Sequence, residues 1–517
     1  MAVRSFSIST FICWEDGSEV MKHHRFWYGV LVLLFIFVSG CLPSLSKPTS
    51  LPLNKPESCR EFLERLDESV KKADVRDASS ISIPGFPYLR TNRFLAFLKE
   101  TLKDEERGEW VRWMQQLDLQ SREKELRNLP DQAILSVEFE DGKKSDREAL
   151  IGQVNSCSSL LLNHEQNGSD FYNILYPRVE VPNEYSFFLR TIGLYPLIVL
   201  PVALVTESSR EKIRKRFDTS LKDLPIDGDL RTFAPKKMER LPDHEVREII
   251  EKSKTNPLGI PLLNRGEEEK LVWSFAPVFI QDVLASYDRL GQVVWKGDRV
   301  DIDPEKPTVY YYLSHAFFKG NPILQINYVI WYSERAGERA PSIELGHLDG
   351  LTVRVSLDDQ GKVFMVDVEN NCGCYHFFVP EKDRIDQVLS RTLRFDPFVA
   401  QWLPAIPSGE HLGIRINSGW HQVQRLIPVS HVADSIPYTI MPYDVLETLP
   451  HGKGQTKSIF NSKGIVKGSE RVERFILFSM GIPSIGSMRQ RGHHATELIG
   501  KEHFDNPYLF DQNFVFK

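Results

Sequence analysis

Apolar and polar positions follow two rhythms along this chain, and the change comes near residue 270. Before it, apolar residues recur every three or four positions, the period of a helix with one buried face. Phe62, Leu63, Leu66 and Val70 mark a helix over SCREFLERLDESVKKA, with Ser58 placed to cap it. Pro84, Gly85 and Pro87 break the run that follows. TNRFLAFLKETL, EERGEWVRWMQQLDLQSREKEL and REALIGQVNSCSSLLLNHE read as further helices, their charges expected on solvated faces. Residues 218–270 are polar and punctuated by proline, a connecting region with one helix around Glu245–Ser253. After Leu271 the pattern turns to runs rich in Val, Ile, Tyr, Phe and Trp. Val272–Ile280, Val293–Trp295, Thr308–Leu313, Ile323–Tyr332, Leu351–Leu357 and Val363–Val368 read as strands. Asp359-Gln360-Gly361 supplies a hairpin turn. Ile414–Ile416 and Gln422–Ile427 form a second hairpin around Ser418-Gly419.

These rhythms predict an α+β protein. An α-rich domain over 57–265 precedes a β-rich, sandwich- or barrel-like domain over 271–517 that ends in a histidine-rich tail. One stretch fits neither rhythm. Thr191–Val205, TIGLYPLIVLPVALV, is apolar throughout, and SSREKIRKRF follows it. It is either a buried segment of the first domain or a surface that touches a bilayer or lipid. In the second case Arg210, Lys212, Arg214, Lys215 and Arg216 lie near anionic headgroups. It is too short to span a bilayer, and Pro196 and Pro201 interrupt it.

Composition adds an exclusion and an address. The chain has 517 residues, 41% hydrophobic and 26% charged, with a formal net charge of -6. That balance argues against a nucleic-acid partner, which asks for a basic face. From Met21 the sequence reads MKHHRFWYGVLVLLFIFVSGC: a positive start, an apolar core over 26–38, then small residues before Cys41. This is the layout of a secretory signal over 21–41. Residues 1–20 carry Glu15, Asp16 and Glu19 and fit no targeting pattern, so Met21 is the expected start. The ending Val-Ser-Gly-Cys resembles the lipobox of bacterial lipoproteins, which implies cleavage before Cys41 and lipidation of its thiol. Leu42, rather than Asp, follows, which by the sorting rules of such proteins implies the outer membrane. An uncleaved anchor or a plain signal peptide is the alternative. Residues 42–56 are rich in Pro and Ser and read as an extended tether. Outside the cytoplasm disulfides persist, and Cys59 and Cys157 are candidates to pair.

Candidate chemistry clusters late, since ten of the fourteen histidines follow residue 310. Asn371-Cys372-Gly373-Cys374-Tyr375-His376 places two thiols and an imidazole within five residues, soft ligands for zinc, copper or iron. The Cys-x-Cys spacing differs from that of most structural zinc sites, so a strained local disulfide and a plain glycine turn stay open. His347-Leu348-Asp349 with His411 or His421 offers a two-histidine, one-carboxylate set for iron if it lies on a strand. In Gly492-His493-His494-Ala495-Thr496-Glu497, His493 and Glu497 share a face if the segment is helical. His494 is a further candidate metal ligand, and His315 a strand-end candidate for catalysis. Each has a bland reading as a hydrogen-bonded structural residue. No phosphate-binding glycine loop, GxSxG elbow or HExxH motif occurs.

VPNEYSFFLRTIGLYPLIVLPVAL, LSHAFFKGNPILQINYVIWY, HLDGLTVRVSLDDQGKVFMVDVENNCGCYH and RGHHATELIGKEHFDNPYLFDQ resemble segments of a family of uncharacterised proteobacterial lipoproteins. The resemblance covers most of the mature chain and implies an envelope address. It brings no activity, cofactor or catalytic residue. Two function classes follow. One is a lipid-anchored envelope protein, structural or ligand-binding, held to the membrane through Cys41, with a lipid or an envelope protein as partner. The other is a metal-dependent envelope enzyme drawing on Cys372, Cys374, His376 and His494, with His315, His493 and Glu497 as catalytic candidates.

Overall fold

Helix α1, Pro56–Ala73, shows how the first half is built. Proline at its start loses no hydrogen bond, because the first N–H groups of a helix have no partner within it. Phe62, Leu63, Leu66 and Val70 are all buried, as their spacing requires. The helix begins before Ser58, which therefore sits inside it and is buried rather than capping it. Helices α2, Arg107–Asn128, and α3, Arg147–Glu165, pack with α1 around a short hairpin of Ile81–Ile83 and Phe86–Thr91. A disulfide between Cys59 and Cys157 joins α1 to α3.

The charges of α2 depart from the solvated face expected of them. Asp118, Arg122 and Glu125 are buried. The hairpin brings Arg90 beneath the helix, where it bonds Glu125 at 2.8 Å and Asp118 at 3.1 Å. Arg122 bonds Asp118 at 2.9 Å and Asp67 at 2.8 Å. Buried charges persist only when paired, and here each guanidinium meets two carboxylates.

Helices α4, Phe187–Ile192, and α5, Tyr195–Asp218, lead into the second half, which is one curled ten-stranded sheet. Its strands are β1 Asp229–Pro235, β2 Val278–Val283, β3 Thr308–Phe318, β4 Asn321–Arg335 and β5 Gly346–Leu357. They continue with β6 Val363–Asn370, β7 Phe377–Pro380, β8 His411–Ile416, β9 Val423–Val429 and β10 Ser435–Pro442. The spatial order is β7-β6-β5-β4-β3-β10-β1-β2-β8-β9. Side chains alternate across a strand, so Ile326, Tyr328, Ile330 and Tyr332 share a face with Leu351, Val353 and Val355. That face packs on Ile213 and Phe217 of α5 and on helices α6, Asp243–Ser253, and α7, Arg265–Ser274. The opposite face carries Asn327, Arg354, Asp367 and Glu369, and these are buried too.

The chain is thus α+β, with a helix-rich first half and a half-barrel sheet in the second. Described are residues 54–135, 146–390, 395–430, 432, 434–452, 454–496 and 502–517 of a computed structural model, in which Pro52–Lys517 forms one compact unit. The leader, Cys41, most of the tether and Glu497 lie outside the described residues. The division at 265–271 is crossed by β1, which enters the sheet from the expected connecting region. It is crossed again by Phe317, which packs into the helical core. Val272–Ile280 is not one strand, because α7 runs to Ser274 before β2 starts at Val278.

The disulfide closes a separation of 98 residues, for which the chain-entropy account gives a stabilisation of about 4–5 kcal/mol. Replacing Cys59 and Cys157 together by Ala should lower the urea midpoint clearly. An unchanged midpoint would show that the packing of α1 on α3 suffices alone.

Candidate functional site

The β6–β7 turn sets the site. Asn370 N donates to the Cys374 carbonyl at 3.1 Å, and Gly373 N to the Asn370 carbonyl at 2.8 Å. Gly373 has φ +84°, and a Cβ there would lie 2.8 Å from the Ala495 carbonyl oxygen, so glycine alone fits. Tyr375 takes φ +58°, a conformation uncommon for an aromatic residue. The turn carries Cys372 and Cys374 on either side of Gly373, both as free cysteines. Cys372 is buried and Cys374 half-buried.

Behind the turn lies a buried ionic cluster centred on Asp349. Arg335, at the end of β4, grips this carboxylate with two bonds of 2.9 Å and reaches Glu344 at 2.6 Å. Arg471 adds a second cation at 3.1 Å. His421, in the β8–β9 turn, bonds Asp349 at 2.8 Å through Nδ1 and Asp288 at 3.2 Å through Nε2. The Tyr332 ring stacks on His421 at 3.9 Å. Tyr375 donates its hydroxyl to Glu344, and Trp420 its indole N–H to the same carboxylate at 3.2 Å. Burial alone would raise the pKa of Asp349, but Arg335, His421 and Arg471 outweigh it and hold the carboxyl well below its usual range. Burial likewise opposes an imidazolium at His421, and hydrogen bonds to Asp288 and Asp349 reverse that, so its pKa rises.

The thiols share this field. The neighbouring Cys374 thiol, against burial and with the charges of Arg471 and Arg335, brings Cys372 down to about 6, while Cys374 is pushed up. The pair therefore loses its first proton easily and holds the second. Glu473 is pushed up to about 8 by burial and by the negative charge of Cys372 and Glu344. Arg471 Nε and Nη1, and Glu473 Oε1, are buried without a hydrogen-bond partner among the described residues.

The sequence-predicted histidines go to separate places. His376 bonds Asp367 at 2.9 Å, a carboxylate that Arg354 also holds, and burial lowers its pKa. His494 is buried, and burial takes it down to about 3. His493 lies between Glu184 at 2.6 Å and the Ala78 carbonyl at 2.7 Å. Its segment is not helical: an isolated bridge from Ala495 to His503 replaces the expected helix. His315 bonds the Pro261 carbonyl at 2.8 Å and packs on Phe94 and Trp113, and burial lowers it to about 4. The tail thus folds back onto the turn through Arg489, which donates its N–H to the Asn371 carbonyl at 2.8 Å, and through Ala495. His315 is engaged elsewhere. Among the described residues no three His, Cys, Asp or Glu side chains gather to hold a metal ion.

His347 is also turned away from Asp349. Leu348 takes φ +62°, which breaks the alternation of β5 and sends His347 to the Val300 carbonyl at 2.8 Å. Of the proposed iron set only Asp349 and His421 meet, and guanidiniums occupy their surroundings. The cluster residues Arg335, Glu344, Arg471 and Glu473 were missed. The available signal was charge set inside apolar strand runs, as at Asp349 and Arg354. Glu369 belongs to the same class: it is fully buried, both oxygens lack a hydrogen-bond partner among the described residues, and burial holds it well above its ordinary pKa.

A second feature lies at the surface. Ile213 and Phe217 seat the last turns of α5 in the sheet core. The first turns of α5 and all of α4 carry no such cover. Phe187 is 74% exposed, Leu197 and Leu200 70%, and Leu204 74%. Phe188, Ile192, Leu194 and Val205 are exposed with them. The segment 472–478 adjoins, with Val472, Phe475 and Ile476 exposed as well. Ser186 N donates to the Gly481 carbonyl at 2.7 Å and Arg190 to the Met480 carbonyl at 2.9 Å, fixing α4 against it. No described helix is long and apolar enough to cross a membrane. Comparison with family models, curated proteins and solved structures returns no match.

The cluster makes a pH prediction. A carboxyl that ionises less readily when folded leaves stability intact below its ordinary pKa of 4.5 and erodes it as the pH climbs towards about 8. The slope is about 1.4 kcal/mol per pH unit at most. Glu473→Gln should therefore gain stability relative to wild type between pH 5 and pH 8 in urea unfolding. Parallel pH curves would show that Glu473 ionises normally.

Proposed function

We propose that this chain is a lipid-anchored cell-envelope protein whose folded body docks on a bilayer, most simply the periplasmic face of the outer membrane. Lipid on Cys41 holds the chain, and the face of α4, α5 and segment 472–478 lies against the headgroups and upper acyl chains. The observation that carries this reading is the exposed apolar face itself. A contiguous patch of large apolar side chains is rare on a soluble surface without a binding role. The surrounding charge fits an anionic lipid surface: Lys212, Arg214 and Lys215 are exposed on the same helix. Such a helix lies in the interface plane rather than crossing it. The leader and the lipobox-like ending supply an independent reason for a membrane address.

The folded body, Pro52–Lys517, is one compact unit and can be tested without the anchor. It should sediment with vesicles of phosphatidylethanolamine and phosphatidylglycerol. Leu197→Glu, Leu200→Glu and Leu204→Glu combined should weaken binding at least about tenfold, since each buried leucine contributes on the order of 1.5 kcal/mol or more. The melting temperature should be kept, because these side chains are exposed. Equal sedimentation of the variant would contradict the proposal. So would a wild-type body that stays in solution, or one that dimerises through this face instead.

A further inference from the structure

We propose that Cys372 and Cys374 are a dithiol–disulfide pair that reduces small disulfides reaching the β6–β7 turn. The two thiols flank one glycine in the same tight turn and carry no disulfide, while Cys59 and Cys157 in the same body are joined. The turn is fixed by Gly373 against Ala495 and by the left-handed Tyr375, whose hydroxyl is tied to Glu344. Backbone held in a rarely populated region marks functional turns more often than idle ones. Cys374 is half-buried and Cys372 buried, so Cys374 is the more accessible residue of the pair. That narrow access suits a small disulfide rather than a protein loop. Arg471 keeps Nε and Nη1 without a hydrogen-bond partner among the described residues, cationic N–H donors beside a pair whose first proton is easily lost.

The exchange balances as follows. The pair starts with the thiolate on Cys372 and the thiol on Cys374, and the Cys374 proton passes to Cys372 as Cys374 Sγ becomes the nucleophile. Cys374 Sγ attacks one sulfur of R–S–S–R; that S–S bond breaks, a mixed disulfide forms and RS⁻ leaves. The proton on Cys372 passes to this RS⁻, giving RSH. Cys372 Sγ, now a thiolate stabilised by Arg471 and Arg335, attacks Cys374 Sγ and displaces a second RS⁻. Two protein sulfurs are oxidised to one disulfide, and one R–S–S–R is reduced to two thiols. Thiolate attack on a disulfide sulfur through a mixed disulfide is the general route of such exchange.

The test is to incubate the folded body with oxidised glutathione, quench with acid and analyse the cysteine peptides by mass spectrometry. The wild type should lose two hydrogens between Cys372 and Cys374 and retain no glutathione. Cys372→Ser should keep glutathione on Cys374, because nothing resolves the adduct. Cys374→Ser should react at least tenfold more slowly, because only the buried thiol remains. The wild-type result stands alone if a variant fails to fold. Wild-type thiols that stay reduced when folded but react when unfolded would overturn the proposal. Equal reaction of the two single variants would overturn it too, as would protection of both thiols by one bound equivalent of zinc.

Discussion

Asp349 is the constraint around which the second half is arranged. A carboxylate withdrawn fully from water is several kcal/mol too costly unless cations surround it. Here Arg335, Arg471 and His421 do so. They come from the end of β4, the C-terminal segment and the β8–β9 turn, so one buried charge joins three distant parts of the chain. Arg335 then fixes Glu344, and Glu344 fixes Tyr375 and Trp420. The conformation of the thiol-bearing turn is thus a consequence of the ion cluster behind it. Removing Arg335 would strip Asp349 of two of its bonds and free Glu344, loosening the turn as well.

The body combines charge inside with apolar residues outside. Two carboxylates meet each of the buried guanidiniums Arg90 and Arg122 in the helical half. The sheet hides Arg354 and Asp367 on its second face. On the outside, α5 is seated by Ile213 and Phe217 at one end and bare at the other. The bare end is held out by that packing and by the bonds of α4 to Met480 and Gly481. This apolar projection, on the proposed reading, meets a bilayer that supplies the missing apolar contact. On the proposed reading the tether between Cys41 and Pro56, at roughly 3.3 Å per residue, keeps the body within roughly 50 Å of the bilayer.

Strands and helices with clean periodicity were legible in the sequence: α1 from Phe62 to Val70, and β4 to β6 from their alternation. β1 was not, because Asp229, Leu230 and Arg231 at its start are exposed and it ends on a proline. β10 carries Pro437 and Pro442 and pairs with β1 along one half and β3 along the other, a pairing that no local pattern announces. Legibility of the site was partial for the same reason. The Cys-x-Cys turn stood out by composition. The partners of the thiols come from Arg335, Arg471 and Glu473, which only the fold brings together. The expected pairing of His347 with Asp349 failed on one backbone angle at Leu348, a departure invisible to period-two reasoning. The burial of Asp118, Arg122 and Glu125 shows the same limit, since charge alone does not say which way a helix faces.

The central claim, that the apolar face of α4 and α5 lies in a bilayer, is tested most directly by photo-labelling. The mature protein in vesicles would be exposed to a phospholipid bearing a diazirine at the end of an acyl chain. Adducts should concentrate between Phe187 and Val205 and between Val472 and Phe478. Adducts confined to the neighbourhood of Cys41, with none on these two segments, would contradict the account.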